Sequence, residues 1–187
     1  MMAYRKTEKV LSKIAATRNL LIACAIDIMA ADGIEALTIR TLAERAEIAT
    51  GSIYMHFADT KELIIAVATE LRDRDIEAMH QAREVAQRPS DNLIAGISMF
   101  AHIVASKYRL MSAIGTMPAY RDPVQDELAK LIKATSPKER PAILAAMAYG
   151  AIFETARLGV RAERTLVLCL LRAVGLPPRW LAEIPVF

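Results

Sequence analysis

Apolar residues recur along this chain at helical intervals of three and four, and no stretch shows the period of two that a half-buried strand needs. Over residues 9–31 the stripe Leu21, Cys24, Ala25 and Ile28 predicts one amphipathic helix, and Gly33 is placed to stop it. Thr38 then stands as N-cap of a short helix that turns Ile39, Leu42 and Ala43 inward. Residues 47–49 read as a turn, and residues 50–57 as a second short helix. Asp59 opens a long helix with Glu62 at capping-box spacing, and Leu63, Ala66, Val67 and Leu71 continue its apolar side. Beyond Leu71 the run Arg72, Asp73, Arg74, Asp75 turns polar, as a rod joining two modules would.

The clearest break is Gln87-Arg88-Pro89-Ser90. After it the periodicity predicts helices at residues 91–107, 109–115 and 124–134, with a Pro-bounded loop at 117–123. A long helix then ends near residue 162, and a last one covers 164–174. Its predecessor's start is open: Ser136-Pro137-Lys138-Glu139 has capping-box form, but Pro141 would clash inside that first turn. The fold class is therefore all-α, with an N-terminal three-helix module at residues 1–58 and a connecting helix plus C-terminal module at 59–187.

Composition narrows this. Hydrophobic residues make up 54% of the 187, more than a lone monomer readily buries, so a subunit interface or a membrane span is implied. The longest uncharged stretch, residues 141–153, falls short of the about 20 residues a span needs. Charges at Arg5, Lys6, Glu8 and Lys9 lead into an amphipathic helix rather than a signal peptide, so a cytoplasmic, membrane-free protein is expected. The net charge of +3 says little, but Arg5, Lys6, Lys9, Lys13 and Arg18 face a single Glu8 at the start of the chain. That is either a basic arm on a nucleic-acid binder or an ordinary solvated face. Cys24 and Cys169 sit in apolar stretches and read as two small buried hydrophobes. His80 and His102 lack partners at ligand spacing, so no metal or other cofactor is expected. Neither a nucleophile–base pair nor a phosphate-cradling glycine loop is present, which argues against an enzyme.

Two short helices joined by a brief turn, too small to fold alone, suggest a helix-turn-helix. In the second, Gly51 and Ser52 are small enough for close approach to a duplex. Thr50, Ser52, Tyr54 and His56 can hydrogen-bond phosphates or base edges, while Ile53 and Phe57, four apart, anchor the opposite face.

The stretch from Leu21 to Leu71 resembles the DNA-binding domain of TetR-family repressors. The resemblance rests on the helix ending at Gly33, on Thr38-Ile39-Arg40-Thr41-Leu42-Ala43, and on Tyr54-Met55-His56-Phe57 followed by Lys61-Glu62-Leu63. It implies that Thr38, Tyr54, His56 and Lys61 hold DNA phosphates and that Arg40, Thr50, Gly51, Ser52 and Met55 face the groove. Within that set Arg40 suits a bidentate guanine contact and Met55 a thymine methyl. Two positions depart from the family pattern. Glu47 replaces the usual turn glycine, and Ala49 replaces the usual capping serine or threonine, leaving Thr50 as the alternative cap.

For the C-terminal half the resemblance is architectural. It implies a small-molecule effector pocket and a homodimer formed by the last two long helices, reading a palindromic operator in double-stranded DNA. Ala145, Ala148, Ala151, Ala156 and Gly159 offer low relief for close helix approach, and Leu166, Leu168, Leu170 and Leu171 supply bulk. Met99, Phe100, Ile103, Met111, Met117, Tyr120, Met147 and Phe153 are the pocket candidates, each of them equally a candidate for plain core packing. Glu154 interrupts an apolar helix and can face a ligand, pair with Arg157 or Arg161, or reach solvent. An effector-responsive repressor is the expected function, and a ligand-independent DNA binder with a filled core is the alternative.

Overall fold

A computed structural model describes residues 2–84, 88–136, 140–159, 169, 172 and 173, with side chains described from residue 8 onward. Among them the chain is all helical and divides into two compact units, Met1–Glu70 and Leu71–Phe187. The units part within a helix rather than before it, at a different place from the expected 58/59 boundary.

In the first unit α1 (Met2–Asp32) packs on a single 3-10 turn (Ile34–Ala36) and on α2 (Ile39–Ala46), which packs on α3 (Thr50–Tyr54). The predicted stripe Leu21, Cys24, Ala25 and Ile28 is buried, joined by Ile22 and Met29. Gly33 ends α1 as expected: its φ of 93° is open only to glycine at little cost, and its N–H donates to Met29 O at 3.1 Å. The helical segment Glu8–Asp32 is long enough to cross a membrane, and an 18-residue window within it reaches a mean hydropathy of 1.6. Its stripe is instead used in the core of this unit.

The helix α4 (Thr60–Gln81) begins in the first unit and ends in the second. Asp59 caps it: the Glu62 N–H donates to Asp59 Oδ1 at 2.8 Å, and the Glu62 carboxylate accepts from the Ala58 N–H at 2.7 Å.

The second unit is built around α5 (Pro89–Ser106), which packs on α6 (Tyr108–Ile114), α7 (Pro118–Thr135) and α8 (Pro141–Arg157). Leu93, Ile97, Phe100 and Val104 of α5 form its buried centre. Two boundaries differ from the sequence expectation, and one that it left open is settled. The loop predicted at 117–123 is helical, because Pro118 occupies the tolerated first turn and Pro123 lies inside α7. Pro123 has no N–H to give the Ala119 carbonyl four residues back, and Arg72 Nη1 donates to that oxygen instead, at 3.3 Å. The start of α8 resolves to Pro141 at its first turn, and α8 stops at Arg157 rather than near residue 162. Gly159, at φ 64°, takes the left-handed conformation that closes helices. The predicted helix at 164–174, with Leu166, Leu168, Leu170 and Leu171, lies outside the described residues apart from positions 169, 172 and 173. Cys24 is buried, and that burial pushes its thiol pKa up; Cys169, also expected to be buried, is exposed.

Candidate nucleic-acid interface

The helix-turn-helix is held by hydrogen bonds whose partners lie within a few residues of each other. Thr38 caps α2 through a reciprocal pair: Thr41 N–H donates to Thr38 Oγ1 at 3.1 Å, and Thr38 N–H donates to Thr41 Oγ1 at 3.0 Å. The Thr41 hydroxyl also donates to Ala36 O at 2.7 Å, which ties the cap to the turn before it. Arg40 is thereby set on the open face of α2, where its Nε donates to Glu44 one turn on at 3.0 Å.

The turn after α2 carries both departures from the family pattern. Glu47 adopts φ 55°, ψ 38°, a left-handed conformation that costs an L-residue roughly 1–2 kcal/mol. The next N–H, of Ile48, donates to Ala43 O at 3.1 Å, so the turn closes as a glycine turn would. Ala49 is the N-cap of α3 and offers no side-chain oxygen; Thr50 is already the first helical residue and does not take over the cap.

On α3 the faces separate sharply. Ile53 and Phe57 are fully buried, whereas Tyr54 is 57% and Met55 84% exposed. Thr50 and Gly51 are exposed, Ser52 and His56 half-buried. The regular helix ends at Tyr54 rather than Phe57, yet the Phe57 N–H still donates to Ile53 O at 3.0 Å. A Cβ placed on Gly51 would meet nothing within 4 Å, so the glycine serves no internal packing. Lys61 is exposed in the first turn of α4, and Thr38 is exposed ahead of α2. Every residue expected at DNA is thus exposed or half-buried, on elements fixed from behind by Leu42, Ile53, Phe57 and Leu63. Sequence reasoning missed one support. The Arg18 guanidinium lies 4.4 Å from the centroid of Phe57, a cation–π contact that assigns this member of the basic arm to holding α3's end. Lys9 and Lys13 are exposed.

The pocket candidates in the second unit do not form one group. Phe100 stacks on Tyr149 (centroids 5.6 Å apart) and meets Phe153 with its ring tilted (6.3 Å), and Tyr149 stacks on Phe153 at 4.8 Å. Phe153 closes over Gly115, where no Cβ would fit. Phe100, Met111 and Tyr120 are fully buried and Ile103 nearly so, while Met99 and Met117 are half-buried. Met147 lies 59% exposed on α8, and Glu154 is exposed and paired with Arg157 at 2.6 Å. That pairing holds the Glu154 carboxyl below its ordinary range, and the side chain both pairs with Arg157 and reaches solvent.

Two polar groups inside this unit went unnoticed in the sequence. Asp75 is 2% exposed and accepts from the Tyr120 hydroxyl at 2.6 Å. Burial raises its pKa, and the hydrogen bond from Tyr120 only partly offsets this. The Tyr149 hydroxyl donates to Gly115 O at 2.6 Å, and burial raises its pKa as well. The signal for Asp75 was present: Leu71, Asp75 and Met79 fall four apart on one stripe, and all three are buried.

Residues 21–67 match the sequence profile of a family described as bacterial regulatory proteins, tetR family. No curated protein sequence matches the chain. Among solved structures, RolR in complex with resorcinol is similar at a TM-score of 0.72 and 19% identity, over 92% of this chain and 94% of that one. A fatty acid degradation regulator, FadR from Bacillus halodurans, is similar at 0.63 and 18%, over 88% and 94%. A TetR-like transcriptional regulator from Rhodococcus sp. RHA1 is similar at 0.62 and 19%, over 86% and 97%.

Proposed function

We propose, from the premise that this chain belongs to the tetR family of bacterial regulatory proteins, that it is a cytoplasmic transcriptional repressor binding a palindromic operator as a homodimer. The observation that carries the reading is the exposure of Tyr54 and Met55 between the buried Ile53 and Phe57. Large apolar side chains held outward on a rigid short helix contribute little to the fold and suit a surface that another molecule covers. Thr38, Tyr54, His56 and Lys61 are assigned to phosphates, and Arg40, Thr50, Gly51, Ser52 and Met55 to the groove. To reach a base, Arg40 exchanges its exposed partner Glu44, an interaction worth about 0.3–0.5 kcal/mol, for a stronger bidentate contact.

Dimerisation is assigned to the outer face of α8. Ile143, Met147 and Leu158 are each at least half exposed there, and a Cβ on Gly150 would meet nothing within 4 Å. An apolar face of low relief at helical spacing fits a second copy of itself across a twofold axis. A small-molecule effector bound in the second unit alters operator affinity through α4, which belongs to both units. The solution of RolR both with resorcinol and without ligand supports an effector for this architecture. The complete burial of Phe100, Met111 and Tyr120 favours the second reading, a ligand-independent DNA binder.

Selecting bound duplexes from a random pool and footprinting the winner tests the proposal. A site with dyad symmetry and half-sites about one helical turn apart is expected. Failure to enrich any sequence, or an enriched site without a dyad, contradicts it.

A further inference from the structure

We propose that the cleft where α4 ends, α5 begins and α7 ends is a binding site for a small apolar α-amino acid, separate from the aromatic cluster of Phe100, Tyr149 and Phe153. The cleft has a volume of about 370 Å³, ample for one amino acid and within the range of small-ligand sites. His80, Arg83 and Glu84 line one side of it, Pro89 and Asn92 a second, and Leu131 and Ala134 a third.

The polar lining carries unspent hydrogen-bonding capacity of three kinds. Glu127, nearly buried on α7, accepts from His80 Nε2 at 2.9 Å, Arg83 Nη1 at 3.1 Å and Lys130 Nζ at 3.2 Å. Burial alone would raise the Glu127 pKa; the hydrogen bonds from His80 and Lys130 overcome this and hold it below the ordinary range. This carboxylate fixes the Arg83 side chain, which is only 16% exposed, yet it engages one of five guanidinium donors. Gly96 makes room for that placement: a Cβ there would sit 2.7 Å from Leu131 Cδ1 and 3.4 Å from Arg83 Cδ. The rest of the Arg83 fork is a preorganised carboxylate receptor. Asn92 is half-buried, and among the described residues its amide has no protein partner. Glu84 is exposed at the cleft and has no ion pair among the described residues.

The charges choose the ligand. The cations Arg83 and Lys130 are matched by the carboxylates Glu127 and Glu84, so these four charges sum to zero and do not favour a plain anion. It is instead polarised, with a cation and a carboxylate contributed by adjacent residues. A zwitterion matches that pattern: its carboxylate meets Arg83, its ammonium meets Glu84, Asn92 bonds either group, and an apolar side chain lies on Leu131, Ala134 and Pro89. Neither the DNA-binding reading nor the effector assignment enters this argument, and the test below uses no DNA.

Isothermal titration of the full chain with L-leucine, leucinamide and 4-methylpentanoate tests it. Leucine is expected to bind, and each analogue lacking one charge to bind about tenfold more weakly, the scale of one charge-assisted hydrogen bond. Glu84→Gln, at an exposed position, is expected to erase the preference for leucine over 4-methylpentanoate, and Asn92→Leu to weaken leucine itself. Arg83→Met removes a partner of the nearly buried Glu127 and risks unfolding, so Glu84→Gln and Asn92→Leu carry the test. No heat with leucine up to about 10 mM, equal binding of all three compounds, or an unchanged preference in Glu84→Gln overturns the proposal.

Discussion

The two units treat polar side chains in opposite ways. In the first, Arg40, Tyr54 and Lys61 stand outward, and the hydrogen bonds that shape the unit are short-range caps such as Thr38–Thr41 and Asp59–Glu62. In the second, Asp75, Tyr120, Tyr149 and Glu127 are turned inward and bonded between residues far apart in the chain. The difference teaches where substitutions register. Under the proposed function, substitutions at outward groups of the first unit are expected to alter binding and leave folding nearly unchanged, whereas inward groups of the second are coupled to stability, because an unpaired buried polar group is costly.

The largest effect that would break this contrast is expected at Tyr120. Tyr120→Phe leaves the Asp75 carboxylate buried without its donor and is expected to cost about 1–3 kcal/mol in urea denaturation near pH 7. The pH dependence has a definite sign. The folded pKa of Asp75 is raised, so the folded state holds its proton longer, and ionisation costs stability as pH climbs from the ordinary Asp range through the raised value. The deficit of Tyr120→Phe is therefore expected to shrink on acidification, and Asp75→Asn to lose this pH dependence while keeping an acceptor for Tyr120. A Tyr120→Phe protein as stable as the parent at every pH would remove the distinction between the units.

Arg40→Ala sharpens the contrast from the other side. Discrimination at one base pair per half-site is expected to fall by about 1–3 kcal/mol, read by competition among operator variants. Its melting should hardly change, because the Arg40–Glu44 pair is exposed on both sides. A uniform loss over all sequences would make Arg40 a phosphate contact instead.

Smaller effects are expected in the turn, where Glu47 carries the left-handed backbone strain seen among the described residues of the first unit. Ala49→Ser supplies the missing cap oxygen and is expected to add about 0.5–2 kcal/mol. Glu47→Gly relieves the left-handed conformation, and the greater chain entropy of glycine offsets part of that gain, leaving up to about 1 kcal/mol. Chemical denaturation checks both. Destabilisation by either would mean that the turn is not the weak point its dihedral angles indicate.

How much could be read in the sequence follows the same division. Thr38, Asp59 with Glu62, Gly33 and the stripe from Leu21 to Ile28 were legible because capping and helical phase depend on neighbours within a turn or two. The helix through Pro123 was not, since the group that compensates the lost bond, Arg72, is remote in sequence. Asp75 was hidden in a run of charges that reads as solvated unless its phase with Leu71 and Met79 is followed. The early stop of α8 at Gly159 obeys the rule already applied to Gly33, so it was readable and overlooked. Dispersal of the pocket candidates, with Met147 and Glu154 on the outer face of α8, depends on packing between helices that composition alone does not order.

The central claim is that the outward face of the helix-turn-helix grips DNA, and the salt dependence of operator binding by Lys61→Ala tests it most directly. Fluorescence anisotropy across a salt series, on the selected duplex, gives the slope of log K against log salt for parent and variant. If Lys61 holds one phosphate, the variant binds all sequences more weakly and its slope is shallower by about 0.9 for each lost contact. Affinity and slope both unchanged would place Lys61 off the interface and contradict the claim.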